Sequence, residues 1–102
     1  QHIHIVYTMY ITLMKYIEWN LGKNERLLKE RGISFDMIVE HIQKGHVLDR
    51  VKHPNKGKYP NQWMYIIEIN KYAYAVPFVE RGENIFLKTI IPSRKFTKKY
   101  LR

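Results

Sequence analysis

Apolar residues recur along this chain at two different periods, and the change of period divides it. Between Asn20 and Gly45 they return every three or four positions, as on one face of a helix. Asn20 is placed to cap a first helix running to about Arg31, with Leu21, Leu27 and Leu28 as a narrow apolar stripe. Gly32 is the expected left-handed stop. Ser34 caps a second helix whose Phe35, Ile38, Val39 and Ile42 form its buried stripe, and Gly45 ends it. The two form a helical hairpin. Its second helix opens Ser-Phe-Asp-Met and lacks the exposed Arg, Asn or Gln with which a DNA-reading helix meets bases.

From Val47 onward apolar and polar residues alternate, the period of a strand. Strands are predicted over residues 47–52, 62–69, 72–79 and 84–91, with an earlier one over 15–19. Trp63, Tyr65, Ile67 and Ile69 share a face, and these aromatics, with Tyr72 and Tyr74, read as core under the helices. Asn70-Lys71 is a tight turn, because Asn tolerates positive φ. Pro77 implies an edge or a bulge, Glu80-Arg81-Gly82-Glu83 a second turn, and Pro92 a stop. Residues 93–101 are predicted to form a short basic helix. The expected class is α+β: two N-terminal helices packed on one face of a four-stranded, consecutively antiparallel sheet, then a short C-terminal helix.

The length of 102 residues fits one domain with a thin core, and 45% apolar residues argue against disorder. Residues 1–14 carry no Asp, Glu, Lys or Arg, yet are too short and too rich in Thr and Tyr to span a bilayer. They also lack the positive leader of a signal peptide. Met14 looks like a natural start, so residues 1–13 are read as an N-terminal extension and 14–102 as the domain. Cysteine is absent, which fits a reducing cytoplasm and removes disulfides and thiolate metal sites. Charge is the stronger signal: 18 Lys and Arg against nine Asp and Glu give a net +9. No acid occurs between Asn84 and Arg102, and Asp49 is the only one between Lys44 and Lys58. Such a field concentrates phosphates, though it would also attract an acidic protein.

Several short segments, in order, resemble the BrnT-type ribonuclease toxins of toxin–antitoxin pairs. Ile17-Glu18-Trp19-Asn20, followed by Lys23-Asn24, is similar to that family's opening strand and lysine-bearing helix. Lys29-Glu30-Arg31-Gly32-Ile33-Ser34-Phe35-Asp36 resembles the junction between its helices, and Arg81-Gly82-Glu83-Asn84-Ile85 its turn into the last strand. Pro92-Ser93-Arg94-Lys95-Phe96-Thr97-Lys98-Lys99-Tyr100 is similar to its closing segment. Residues 16–100 are covered. The resemblance implies a RelE-like fold, cofactor-free and metal-independent cleavage of RNA, either free or on the ribosome, and neutralisation by a cognate antitoxin with a DNA-binding domain. This sequence departs from the family in the Val51-Lys52-His53-Pro54 loop, in Lys88 where the family tends to Arg, and in one residue inserted before Arg94.

RNA cleavage without a metal needs the 2′-hydroxyl deprotonated, the leaving oxygen protonated and the phosphate's growing charge stabilised. Arg94 follows a strand end and offers a planar fork for two phosphate oxygens; the alternative is a solvated surface arginine. Lys88, placed by alternation on the face of Phe86 and Ile90, is either functional or an amphipathic side chain at the core edge. His53 is the best-placed histidine for proton transfer. Glu80 is a candidate general base beside Arg81, in what is otherwise a solvated turn. Lys52, Lys56, Lys58, Lys95, Lys98 and Lys99 are read as nonspecific phosphate binders. His41 and His46 read as boundary residues, and His2 with His4 does not make a metal site. The competing reading is a noncatalytic basic domain that binds RNA or an acidic protein. No membrane partner is expected.

Overall fold

The computed structural model describes residues 16–102, so the extension assigned to residues 1–13 lies outside the described residues. The elements are β1 (Tyr16–Trp19), α1 (Leu21–Arg31), α2 (Phe35–Gln43), β2 (Val47–Lys52), β3 (Gln62–Ile69), β4 (Tyr72–Arg81), β5 (Asn84–Leu87), β6 (Ile91–Pro92) and α3 (Arg94–Leu101). The class is α+β, with a mixed six-stranded sheet in the order β1-β5-β4-β3-β2 and β6 paired to β4.

The helix ends follow from capping chemistry. Asn20 Oδ1 accepts the Lys23 N–H at 2.8 Å, and Gly32 closes α1 at φ +69°. Ser34 accepts the Met37 N–H at 3.3 Å at the start of α2. Asn24 joins the helices: its Oδ1 accepts the Phe35 N–H at 2.6 Å and its Nδ2 donates to Asp36 at 3.0 Å. Asn70 and Lys71, at φ 52° and 64°, form the turn between β3 and β4.

Three sequence expectations need correction. The sheet is not purely antiparallel: β1 lies parallel to β5, with Glu18 opposite Phe86 and Trp19 opposite Leu87. The chain crosses by the helical hairpin to the far edge and returns strand by strand, so the last long strand arrives beside the first. Next, the strand expected over 84–91 is broken in two. Pro77 lies inside the sheet, opposite Met64, and its carbonyl accepts the Lys88 N–H at 2.8 Å. The N–H and C=O of a strand residue point to the same side, so the donor proline lacks faces that neighbour, and pairing breaks between β5 and β6. Ile90, expected beside Lys88, turns instead into the core with no exposed surface.

Finally, helices cover both faces. α1 and α2 pack over Ile17, Trp19, Ile67, Val76, Phe78, Leu87 and Ile90, which with Phe35, Ile38 and Val39 make the main core. On the opposite face α3 lays Phe96, Tyr100 and Leu101 over Met64, Ile66, Ala73 and Ala75. The small side chains of Ala73 and Ala75 let the helix approach the sheet closely. Ser93 caps it through the Phe96 N–H at 3.0 Å, and Thr97 Oγ1 accepts the Ala73 N–H at 2.9 Å. Trp63, Tyr65 and Tyr74 pack against the main core as expected, whereas Tyr72, expected with them, lies outside it and meets Tyr74 edge-on at 5.8 Å.

Candidate nucleic-acid interface

On its own face of the sheet α3 covers β4 and β3 out to Leu48 and Val51 of the edge strand β2. Beyond α3, the ends of β1, β5 and β4 turn their non-core side chains outward, because Ile17, Trp19, Ile85 and Leu87 alternate with them and point into the core. There a groove of about 500 Å³ is lined by Glu18, Asn20, Val79, Arg81, Asn84, Phe86 and Lys88. Asn84 Nδ2 donates to Glu18 Oε2 at 3.4 Å, and the Lys88 ammonium lies 5.5 Å from the Phe86 ring centre.

Lys88 also lines a second depression of about 230 Å³, with His53, Tyr59, Gln62, Pro77, Thr89 and Ile91. Lys88 is the first residue past β5, its N–H still held by the Pro77 carbonyl, and its exposed side chain borders both hollows. His53 extends the β2–β3 pairing by donating its N–H to Gln62 at 2.9 Å, and its ring packs on Tyr59 with 4.4 Å between centres. Its Nδ1 accepts the Asn55 N–H at 3.1 Å. That bond requires Nδ1 to be bare, so the ring hydrogen sits on Nε2 and the imidazole serves as a donor. Asn55 also accepts the Lys58 N–H at 3.0 Å, and Lys58 approaches the Tyr59 ring at 5.4 Å, so the basic loop is tied together locally.

The structure thus places Arg81 and His53 in two separate hollows that share Lys88, and separates Glu80 from them. Glu80 is the last but one residue of β4 and faces the α1–α2 side, where it pairs with Arg50 at 2.8 Å. The Arg50 guanidinium lies 4.4 Å from the Trp63 ring centre, and Lys52 approaches the same ring at 5.5 Å. Tyr65 stacks on Phe78 beneath them, and burial, the largest cause, pushes its hydroxyl pKa up. Arg94 is exposed at the start of α3 and lines neither hollow. Lys95, Lys98 and Lys99 are exposed along α3, and Lys56 is exposed in the loop. His41 and His46 meet at the end of α2 with 2.8 Å between their Nδ1 atoms. Burial, then the neighbouring His46, lowers the His41 pKa.

Glu18 is the groove residue that candidate selection from the sequence overlooks. Its signal was present: it is the one acid of the opening strand, alternating with Ile17 and Trp19. Only the parallel pairing with β5 carries it to Arg81 and Lys88.

Among the described residues no three His, Cys, Asp or Glu side chains cluster as metal ligands would. Nor is any helix among them long and apolar enough to cross a membrane. Comparison with family models, with curated proteins and with solved structures returns no match.

Proposed function

We propose that this chain is a metal-independent endoribonuclease, acting in the cytoplasm as the toxin of a BrnT-like pair and held inactive by an antitoxin that carries a DNA-binding domain. One observation carries the reading: Lys88 stands where two hollows meet, with Arg81 in one and His53 in the other. A polynucleotide phosphate seated at Lys88 would have a guanidinium to one side and an imidazole N–H donor to the other.

In the reaction the 2′-oxygen bonds to the adjacent phosphorus as its proton passes to water. The bond to the 5′-oxygen breaks, and that oxygen takes a proton from the Lys88 ammonium. Arg81 and the Nε2–H of His53 carry the charge that grows on the phosphoryl oxygens in between. The products are a 2′,3′-cyclic phosphate and a 5′-hydroxyl. The segments similar to the toxin family, in their family order, support the same chemistry.

Purified protein should cut RNA in the presence of a chelator and leave those two ends, and expression without an antitoxin should arrest growth. Lys88→Ala should lower cleavage at least about a hundredfold while weakening RNA binding only a few-fold. A protein that cuts no RNA, with or without ribosomes, and is harmless when expressed would end this reading. The second reading, a noncatalytic RNA-binding domain, is favoured by one observation: the exposed cations Arg94, Lys95, Lys98 and Lys99 lie on α3 and line neither hollow. It predicts that Lys88→Ala lowers affinity and any cleavage in the same proportion.

A further inference from the structure

The larger groove holds a group that phosphate binding does not explain. Arg81 and Lys88 suit a polynucleotide backbone, whereas the Glu18 carboxylate between β1 and the groove repels one. Three features surround that carboxylate. Phe86 is its register partner across the β1–β5 ladder and lines the same groove. Asn84, from the same strand as Phe86, orients it by donating to Oε2 at 3.4 Å. The cations stand at either end of the groove along β5, Arg81 opposite Asn84 and Lys88 beside Pro77, so the groove combines a ring and a hydrogen-bonding edge with a cation at each end. Its volume of about 500 Å³ falls within the range of small-molecule sites and accommodates one nucleotide.

We infer that this groove holds the base of a nucleotide next to the scissile phosphate and selects guanine, through Glu18. Guanine presents two adjacent donors, N1–H and the 2-amino group, and a carboxylate accepts both at once. Adenine offers only its 6-amino group, cytosine its 4-amino group and uracil its N3–H, so each gives the carboxylate one donor where guanine gives two. A site built to satisfy a polar edge discriminates strongly against ligands that lack the matching group. Phe86 supplies a stacking surface, and Asn84 Oδ1 is a further acceptor beside the carboxylate. The inference rests on the ribonuclease reading for the placement of the phosphate at Lys88, but base selection is measurable without turnover.

The test uses short 2′-O-methyl oligonucleotides, which cannot be cleaved, carrying a single guanine, inosine or adenine in a uridine background. Guanine should bind on the order of ten- to a hundredfold more tightly than adenine. Inosine, which keeps N1–H and lacks the 2-amino group, should fall between. Glu18→Gln, with an unchanged circular dichroism spectrum, should bring guanine and adenine to within about threefold of each other. Equal binding of the three bases, or a guanine preference that survives Glu18→Gln, overturns the inference. Mapping cut sites on a mixed-sequence RNA separates it from the function itself. Cleavage without base preference leaves the ribonuclease standing and removes the guanine pocket. Guanine-selective binding with no cleavage does the reverse. If Glu18→Gln slows cutting at every sequence alike, Glu18 is the general base and the selectivity proposed for it is wrong.

Discussion

Glu80 and Arg81 are neighbours in the chain and face opposite sides of the sheet, so their chemistry is separated by the backbone between them. Glu80 pairs with Arg50, which also packs over the rings of Trp63 and Phe78. Arg50→Ala removes packing and a cation–π contact along with the ion pair, and should cost about 1–2 kcal/mol in denaturant unfolding. Glu80→Gln removes only the charge of a half-exposed pair and should cost less than about 1 kcal/mol. It should leave cleavage unchanged; a large loss of turnover would return Glu80 to the reacting groups. A second residue-scale test concerns Asp49 and Tyr100, which hydrogen-bond between β2 and α3. The Tyr100 hydroxyl is the main cause lowering the Asp49 pKa below its ordinary 3.8, and Asp49 the main cause raising Tyr100 above 10.0. A lowered carboxylate stabilises the fold above its unfolded pKa and loses that contribution as pH falls through its folded value. A raised phenol stabilises it below its unfolded pKa and loses that contribution as pH rises through its folded value. The stability difference between the native protein and Tyr100→Phe should therefore be flat through the neutral range and shrink at both extremes. A difference that keeps growing toward either extreme would contradict the pairing.

At the scale of elements, what the sequence makes legible is what local chemistry decides. Asn20, Gly32 and Ser34 mark helix ends because their side chains or dihedrals act within a turn, and Asn70-Lys71 marks a hairpin for the same reason. The alternation of Trp63, Tyr65, Ile67 and Ile69 identifies the core face without reference to any partner. Three features were not legible, and each depends on chain segments far apart. The parallel seating of β1 on β5 decides that Glu18 joins the groove, yet nothing in either segment names its partner. Pro77 signals an irregularity, but only the fold shows that its neighbour breaks, so that Lys88 and Ile90 part company. The amphipathic pattern of Phe96, Tyr100 and Leu101 marks an apolar stripe and leaves open which face of the sheet it covers. That docking can be tested at Thr97, whose hydroxyl accepts from Ala73 N–H and donates to Ser93 O at 2.7 Å. Thr97→Val keeps the shape and orphans a partly buried N–H, and should cost about 1–3 kcal/mol. Hydrogen exchange at Ala73 should accelerate in that variant; unchanged protection would mean that α3 is not held to the sheet through this contact.

For the molecule as a whole, the net charge of +9 is a statement about encounter and salt, and separating it from chemistry needs variants at different places. The α3 lysines, Lys95, Lys98 and Lys99, are exposed on a helix that packs on the same sheet face as the two hollows, and Lys88 lies between those hollows. If an RNA strand runs from the hollows across α3, both sets contact phosphates but only Lys88 meets the reacting one. Each phosphate contact to a single strand contributes about −0.7 to the slope of log affinity against log salt. Replacing the three α3 lysines together by alanine should therefore flatten that slope by about 2, while cleavage at saturating RNA holds within a few-fold. Lys88→Ala should flatten it by no more than about 0.7 and abolish most turnover. The two variants move different quantities because one group contributes attraction and the other reaction. A triple variant with the native salt slope would place α3 outside the RNA path and confine the strand to the two hollows that share Lys88.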